Sequence, residues 1–290
     1  MRVPTNPPDL TGKVIVITGA NSGIGAATAL GLAHLGATLI LACRNVVAAG
    51  TAAQDIRHRT GNDAVRCVEL DLADLDSVHR CADELTSTTD GIDVLINNAG
   101  GAFTARTVTA QGFEQTFGVN YLGPYALTRL LLAHLQQPAR VISVSSLGHK
   151  YCRAIRWDDL TFSRGYTSMG AYSNAKLAQV LFTAELARRT DAFSAAVHPG
   201  FVASEFYNKG NSLPARGLQS FARRFAKTPD EGAQTSIYLA STDVATLPNG
   251  GYWASCRPAR PSKAARDQAA AQRLWQLSEE LVARSGITFG

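Results

Sequence analysis

The sequence predicts an α/β fold with one doubly wound, mainly parallel sheet flanked by helices. Short apolar runs rich in β-branched residues alternate with stretches of helical pattern, which is the order that parallel strands with crossover helices require. The chain has 290 residues, of which 46% are hydrophobic and 18% charged, so it holds enough apolar side chains for one large core. We find no internal repeat and no low-complexity linker, and we interpret residues 1–290 as a single domain.

The predicted sheet has seven strands. They are expected at Lys13–Thr18, Thr38–Cys43, Ala64–Glu69, Asp93–Asn97, Arg140–Ser145, Phe193–His198 and Gly250–Trp253. Helices are expected up to about Leu35, from Asp74, from Gln111 to about Leu135, around Tyr172, at Asp230–Ala240 and at Ala264–Ala283. The domain core then covers residues 10–254, and a C-terminal helix lies within residues 262–285. Asn120, inside the helix that begins at Gln111, competes for backbone hydrogen bonds, so we expect a local irregularity there.

A glycine-rich turn follows the first strand directly. Residues 18–25 read TGANSGIG and lead into a helical pattern, so glycines stand at positions 19, 23 and 25. Glycines let the backbone turn sharply and approach a pyrophosphate, which a helix N-terminus then stabilises. The spacing is Gly-x3-Gly-x-Gly instead of the commoner GxGxxG. The order of strand, glycine turn and helix nevertheless predicts a dinucleotide-binding Rossmann fold.

The end of the second strand indicates which dinucleotide is bound. A carboxylate at this place usually takes the ribose 2′-hydroxyl of NAD, whereas an arginine accommodates the 2′-phosphate of NADP. Here the strand ends in Cys43, and Arg44 and Asn45 follow. The sequence therefore favours NADP(H), although a solvated loop arginine is the structural alternative for Arg44.

Tyr172 and Lys176 form the candidate proton-transfer pair. They stand four residues apart, which brings both side chains onto one face of a helix. A free tyrosine is a poor acid or base near neutral pH, but a lysine charge about 4 Å away would stabilise the phenolate. The structural alternative is a chance pair on a helix surface. Tyr166 is a competing phenol, but it lacks a lysine four residues on and Gly170 follows it.

Composition excludes several classes of function. The formal net charge is +5, but the basic residues are scattered, so we expect an anionic cofactor and no nucleic acid. The five cysteines show no CxxC pair and no histidine at metal-ligand spacing, which predicts neither disulfides nor a metal site. No apolar run reaches the roughly 18 residues of a membrane span, so we predict a cytoplasmic protein without a membrane anchor.

An ordered set of motifs resembles the short-chain dehydrogenase/reductase superfamily. The set comprises TGANSGIG at 18–25, NNAG at 97–100, Asn120, VSS at 144–146, YSNAK at 172–176 and HPGFVAS at 198–204. Residues 41–45, 157–160, 176–182, 185–189 and 273–275 are similar to the retinol-dehydrogenase-like and WW-domain-oxidoreductase-like branch. The resemblance covers about Gly12 to Trp253 and implies an oxidoreductase that uses a nicotinamide cofactor.

The resemblance assigns Asn120, Ser146, Tyr172 and Lys176 as the catalytic set. It implies that Tyr172 is the general acid or base and that Ser146 hydrogen-bonds the reacting oxygen. It further implies that Lys176 binds the nicotinamide ribose and favours the phenolate, and that Asn120 holds a water leading to solvent. The choice of Ser146 over Ser145 rests on the resemblance alone.

The resemblance also assigns the cofactor-binding residues. Those for the pyrophosphate and ribose are Gly19, Asn21, Ser22 and Ile24, those for the 2′-phosphate are Arg44 and Asn45, and those for the adenine are Asp71 and Leu72. Asn98, Ala99 and Gly100 flank the ribose, Tyr172 and Lys176 belong to both sets, and Val202 and Ser204 match positions that hold the carboxamide. We interpret His149 and His198 as structural.

The sequence thus predicts an NADPH-dependent ketoreductase or alcohol dehydrogenase acting on a small-molecule carbonyl or alcohol. The aromatic stretch at residues 205–228 is interpreted as a substrate flap, and residues 147–169 as an insertion lining the substrate mouth, which favour a lipophilic, aromatic or polycyclic substrate. A non-catalytic NADP-binding sensor and a pathway enzyme that uses NADP for something other than net reduction are the alternatives. A homo-oligomer formed through the helices holding Asn120 and Tyr172 is a further expectation, unless the C-terminal helix covers that face.

Overall fold

The computed structural model describes residues 8–201, 227–245 and 247–289. The strands are β1 Val14–Thr18, β2 Thr38–Cys43, β3 Val65–Glu69, β4 Ile92–Asn97, β5 Leu135–Val144, β6 Phe193–His198, β7 Gly251–Ala254 and β8 Arg257–Ala259. The α-helices are α1 Gly23–Ala33, α2 Val46–Thr60, α3 Leu75–Thr88, α4 Gln115–Phe117, α5 Gly123–Leu131, α6 Ser168–Arg189, α7 Pro229–Ser241 and α8 Gln268–Ala283. A π-helical turn at Gly118–Leu122 joins α4 to α5, and 3₁₀ turns lie at Leu132–His134, Leu147–Tyr151 and Ala264–Arg266.

The eight strands form one sheet in the order β3-β2-β1-β4-β5-β6-β7-β8. All neighbouring strands are parallel except the last pair, β7 and β8. Successive side chains of a strand point to opposite faces, so each strand contributes to two cores. One core packs the sheet against α3, α5, α6 and α8, and the other packs it against α1, α2 and α7. The predicted doubly wound α/β class is confirmed.

The sheet has one strand more than predicted. β8 is an edge strand of three residues that includes Pro258, and it pairs antiparallel with β7 through the two-residue turn Ser255-Cys256. Proline donates no hydrogen bond, and edge strands tolerate it. A three-residue strand containing proline carries no periodic apolar pattern, which is why the sequence does not reveal it.

The fifth strand starts earlier than the predicted Arg140. β5 begins at Leu135, which pairs with Ile92, and the register shifts before Arg140 pairs with Val94. The polar Gln136 and Gln137 interrupt the apolar pattern at this shift. The helix predicted to run to about Leu135 accordingly ends at Leu131 and gives way to a 3₁₀ turn.

The irregularity expected at Asn120 is confirmed as the π-helical turn. In this turn the N–H of Gly123 donates to the carbonyl of Gly118, five residues back. Pro124 stands four residues after Asn120 and has no N–H, so the Asn120 carbonyl lacks the donor that a regular α-helix would supply. In addition, Nδ2 of Asn120 donates to the carbonyl of Thr116, four residues back, so the side chain competes for a backbone acceptor as expected.

Candidate active site

The candidate site lies at the carboxyl ends of the strands, where the strand order reverses between β1 and β4. The turn from β1 into α1 contains Gly19 and Gly23, whose φ angles of 64° and 55° lie in the left-handed region that favours glycine. A Cβ at Gly19 would lie 2.9 Å from the Cβ of Ala99, so a larger residue would push this turn away from β4. The predicted residues Asn21, Ser22 and Ile24 share this turn and the start of α1.

The N-terminus of α1 offers backbone N–H groups to an anion. Within the described part of the chain, the side chain of the N-cap residue Ser22 makes no capping hydrogen bond, and the first turn of α1 contains no acidic residue. Exposed N–H groups at a helix start and the helix dipole both favour a negatively charged ligand. Together with the close approach at Gly19, this geometry fits the pyrophosphate of a dinucleotide.

Thr18 and Asn98 hold the glycine turn against the end of β4. The Thr18 hydroxyl oxygen accepts hydrogen bonds from the N–H of Asn98 at 3.0 Å and from that of Ala99 at 2.9 Å. The side-chain amide of Asn98 donates to the carbonyls of Thr18 at 2.9 Å and Gly19 at 3.3 Å. Thr18 is missing from the predicted site, although a polar residue that ends a fully apolar strand is a sequence feature that marks it.

The residues predicted for the adenosine end follow β2 and β3. Arg44 is exposed at the end of β2, next to Cys43, whose side chain is buried. Asn45 is the N-cap of α2, and its Oδ1 accepts from the N–H of Ala48 at 3.0 Å. Arg44 and Asn45, and no carboxylate, follow β2 directly. The positive charge of Arg44 therefore suits the 2′-phosphate of NADP at this strand end.

Asp71 and Leu72 follow β3 and are held by the local chain. Oδ1 of Asp71 accepts from the N–H of Ala73 at 2.9 Å, and the N–H of Asp71 donates to the hydroxyl of Ser77 at 3.0 Å. Leu72 is buried and packs against Gly123. This turn therefore presents a fixed wall beside the end of β2.

Asn120 ties the π-helical turn to the loop after β4. Its Nδ2 donates to the carbonyls of Gly101 and Thr116, both at 2.8 Å, and its Oδ1 accepts from the N–H of Gly101 at 3.0 Å. The side chain is fully buried. A Cβ at Gly100 would lie 2.5 Å from Oδ1 of Asn120 and 3.5 Å from Nζ of Lys176, so the loop, Asn120 and Lys176 meet at one point.

Lys176 reaches this point from α6. Its Nζ donates to the carbonyl of Val144 at 2.9 Å and lies 5.5 Å from the centroid of the Tyr172 ring. Burial disfavours the charged ammonium and lowers the pKa of Lys176 from 10.5 to about 7. The buried position therefore favours the neutral amine more than water does.

The two serines after β5 have different surroundings. The buried Ser145 hydroxyl donates to the carbonyl of Lys176 at 3.2 Å, so it is engaged with the backbone of α6. The half-buried Ser146 caps the 3₁₀ turn Leu147–Tyr151, and its Oγ accepts from the N–H of Gly148 at 3.0 Å. A Cβ at Gly148 would lie 3.0 Å from Cε1 of Tyr172 and 3.4 Å from Oγ of Ser146. Because Gly148 has no side chain, Ser146 and Tyr172 can both approach it on the same side of the site.

Tyr166, the competing phenol, is used elsewhere. Its hydroxyl donates to the carbonyl of Phe103 at 2.7 Å, which joins the segment before α6 to the loop after β4. Asp159 holds the same segment by accepting from the N–H groups of Ser163 at 2.8 Å and Arg164 at 3.2 Å. These bonds hold residues 159–166 in place before α6 begins and join them to the loop after β4.

Two predicted site residues, Val202 and Ser204, lie outside the described residues, as do residues 205–226 of the predicted flap. His198, at the end of β6, accepts from the N–H of Gly200 at 3.4 Å, and burial followed by the nearby Lys227 lowers its pKa to about 4. Among the residues that the structure describes, no group of three or more His, Cys, Asp or Glu side chains could hold a metal ion. Within the same residues, no helix combines the length and apolarity that crossing a bilayer requires.

Comparison with known proteins identifies the family of this chain. Residues 13–212 match the model of the short chain dehydrogenase family. Human retinol dehydrogenase 11 is 40% identical over 283 residues, which cover 96% of this chain and 88% of the relative. A crystal structure of an uncharacterized protein from Mycobacterium paratuberculosis is 39% identical, has a TM-score of 0.78 and matches over 96% of both chains.

A more distant structure shares the fold. Pseudomonas aeruginosa RhlG, solved as a complex with NADP, is 24% identical with a TM-score of 0.69, over 86% of this chain and 97% of RhlG. The family match spans more than half of the chain, and the human relative is well above 30% identical. The chain therefore belongs to the short-chain dehydrogenase/reductase superfamily, in its retinol-dehydrogenase-like branch, whose members are NAD(P)-dependent oxidoreductases acting on alcohols and carbonyls.

Proposed function

We propose that this protein interconverts the alcohol and carbonyl forms of a lipophilic small molecule with NADP(H), using Tyr172 as general acid and base. The observation that carries the proposal is the meeting of Ser146, Tyr172, Lys176 and Asn120 beside the glycine turn at the carboxyl edge of the sheet. The residues of the turn fit a dinucleotide, which supplies or accepts the hydride when bound.

In the proposed reduction, Tyr172 gives its phenolic proton to the substrate oxygen as the carbonyl becomes an alcohol. The Ser146 Oγ accepts from the N–H of Gly148, so its own proton is directed elsewhere and can hydrogen-bond the oxygen on which negative charge develops. Ser145 is unsuited to this role because its hydroxyl is buried against the carbonyl of Lys176. Oxidation uses the same groups in reverse.

Lys176 and Asn120 are proposed to return the proton to Tyr172. A lysine with a pKa of about 7 can either hold or release a proton at neutral pH. Asn120 is proposed to hold a water beside Lys176, which is supported by the position of its Oδ1 and of Nζ of Lys176 on the same side of Gly100. We infer that this water connects the buried ammonium to solvent.

Exposed apolar side chains in the segments next to the site support a lipophilic substrate. Leu147 and Tyr151 lie in the turn after Ser146, Met169 stands three residues before Tyr172, and Phe201 follows β6; all are exposed. We infer that these side chains contribute to a binding surface for an apolar substrate. The name of the human relative, retinol dehydrogenase, agrees with a substrate of this class.

Replacing Tyr172 by phenylalanine tests the chemistry. Tyr172→Phe is expected to lower the turnover of the best carbonyl substrate at least about 100-fold, because it removes the proton donor, and to leave NADPH affinity nearly unchanged. Substrates are found by following NADPH absorbance with retinal, quinones and polycyclic ketones. Tyr166→Phe is the matched control and is expected to keep turnover within about threefold, since its hydroxyl is engaged with the Phe103 carbonyl. Unchanged turnover in Tyr172→Phe contradicts the proposal.

Replacing Arg44 tests the choice of cofactor. Arg44→Ala is expected to weaken NADPH binding about 10- to 100-fold and to leave NADH binding unchanged, because only NADPH carries the 2′-phosphate. Nicotinamide fluorescence on titration gives both dissociation constants. Arg59→Ala removes an equal charge from α2 and serves as the control. Equal weakening of both cofactors by Arg44→Ala rules out a 2′-phosphate contact.

A further inference from the structure

His149 is a fully buried histidine whose two ring nitrogens are both bonded. Nδ1 lies 2.6 Å from the carbonyl oxygen of Ser146, and Nε2 lies 3.1 Å from the backbone nitrogen of Ser262. Ser262 follows β8 and is 113 residues away along the chain. One imidazole therefore joins the turn that carries Ser146 to the segment that leads into α8.

These two hydrogen bonds determine which ring nitrogen of His149 carries the proton. The backbone N–H of Ser262 can only donate, so Nε2 must be the acceptor and must carry no proton. In neutral imidazole the proton then resides on Nδ1, which donates to the Ser146 carbonyl. Burial lowers the pKa of His149, in agreement with a neutral ring. His149 is thus held in one tautomer by the C-terminal segment.

Tyr252 of β7 fixes the plane of the ring. Its aromatic ring lies 4.8 Å from that of His149, centroid to centroid, at an angle of 59°. Both side chains are buried, so neither ring has room to turn. The direction of the Nδ1–H bond toward Ser146 is therefore set by packing against β7 and by the bond to Ser262.

The Ser146 side chain depends on this contact because the turn at Ser146 is short. The carbonyl of Ser146 accepts from Nδ1 of His149 and, at 3.4 Å, from the backbone N–H of His149, and Oγ of Ser146 accepts from the N–H of Gly148 two residues on. Rotation of the peptide that follows Ser146 would disturb these bonds and shift the hydroxyl relative to Gly148, which Tyr172 also approaches. We propose that His149 is a positioning residue that holds the Ser146 hydroxyl for catalysis and couples it to the C-terminal segment; this rests on the catalytic role proposed for Ser146.

Two substitutions of His149 each keep one of its two hydrogen bonds and remove the other. In His149→Asn the side-chain amide can still donate to the Ser146 carbonyl but is too short to reach Ser262. In His149→Gln the longer side chain can accept from Ser262, whereas the donor at the Nδ1 position is lost. The measured quantity is the single-turnover rate of NADPH oxidation at saturating substrate, with KM and the melting temperature recorded for each variant.

We expect His149→Gln to lower the single-turnover rate about tenfold or more with KM changed less than about threefold, and His149→Asn to retain most of the rate. Lys150→Ala, at the exposed neighbouring position, is the control. In a Ser146→Ala background, His149→Gln is expected to cause no further loss, because residues that act through one another are not additive. A purely structural histidine predicts instead that both variants lose rate in proportion to their melting temperatures.

The outcomes distinguish this inference from the proposed function. If Ser146→Ala lowers the rate but His149→Gln does not, or if their losses add, the positioning role is wrong and the role of Ser146 stands. If Ser146→Ala leaves the rate unchanged, the catalytic role of Ser146 is wrong and the inference about His149 falls with it.

Discussion

Thr18 uses one hydroxyl oxygen to satisfy two backbone N–H groups at the centre of the site. The N–H groups of Asn98 and Ala99 both donate to it, and the residue is fully buried, so water cannot replace it. Burial of an unpaired N–H costs as much as the hydrogen bond that it loses. At the scale of single residues, Thr18 therefore holds the glycine turn in the position that a dinucleotide requires.

Thr18→Val replaces the hydroxyl by a methyl group of similar size and leaves the Ala99 N–H without its acceptor, whereas the Asn98 N–H keeps the carbonyl of Ile96 at 3.0 Å. We expect it to lower the free energy of unfolding by about 1 to 3 kcal/mol and to weaken NADPH binding. Thr18→Ser keeps the acceptor and is expected to cost only about 1 kcal/mol for the lost methyl group. Urea unfolding of both variants measures the difference. A Thr18→Val variant as stable as the unmodified protein would show that the hydroxyl contributes nothing.

The turn of the β7–β8 hairpin has a strained backbone. Its two turn residues, Ser255 and Cys256, have φ angles of 50° and 57°, and neither is glycine. Two-residue hairpin turns with positive φ at both positions strongly prefer Asn-Gly, since other side chains are crowded there. The N–H of Cys256 donates to the hydroxyl of Thr235 at 3.2 Å, which holds the turn against α7.

Cys256→Gly is expected to stabilise the protein by about 0.5 to 1 kcal/mol. Relief of the unfavourable φ exceeds the additional conformational entropy that glycine loses on folding. Cys256→Ala is the control because it removes the thiol and keeps the strained φ, so it should not stabilise. Thermal unfolding of both variants gives the comparison, and a melting temperature of Cys256→Gly at or below that of Cys256→Ala would contradict the prediction.

The C-terminal helix α8 packs over α5 and α6, the helices next to the site. Trp275 of α8 stacks on Phe182 of α6 at 5.9 Å and meets Tyr125 of α5 edge-on at 5.5 Å, centroid to centroid. The guanidinium of Arg129 lies between the rings of Trp275 and Phe289, at 4.9 and 4.5 Å from their centroids. The predicted homo-oligomer stays a prediction, but the part of α5 and α6 under Trp275 is not available to form it.

Trp275→Ala is expected to lower the free energy of unfolding by about 3 to 5 kcal/mol, because it leaves a large cavity and removes the ring under Arg129. Gln276→Ala, at the exposed neighbouring position on α8, is the control and should change stability by less than about 0.5 kcal/mol. Guanidinium unfolding measures both. A small effect of Trp275→Ala would mean that α8 contributes little to the stability of the domain.

Local sequence patterns determined the α/β class, the strands around β1 and β2, the glycine turn and the Tyr172–Lys176 spacing. Each of these follows from the periodicity of apolar residues or from a backbone requirement within a few positions, so neighbouring residues suffice to specify it. The irregularity at Asn120 belongs here as well, since an asparagine side chain inside a helix competes for backbone hydrogen bonds.

Only the tertiary structure shows the different contacts of Ser145 and Ser146, the first with α6 and the second with the turn at Gly148. The bonds of Thr18 to the end of β4 and of His149 to Ser262 join segments 80 or more residues apart. β8 likewise depends on its partner strand. A pairing between distant segments is decided by which surfaces the packed sheet brings together, and no local pattern in the sequence encodes that choice.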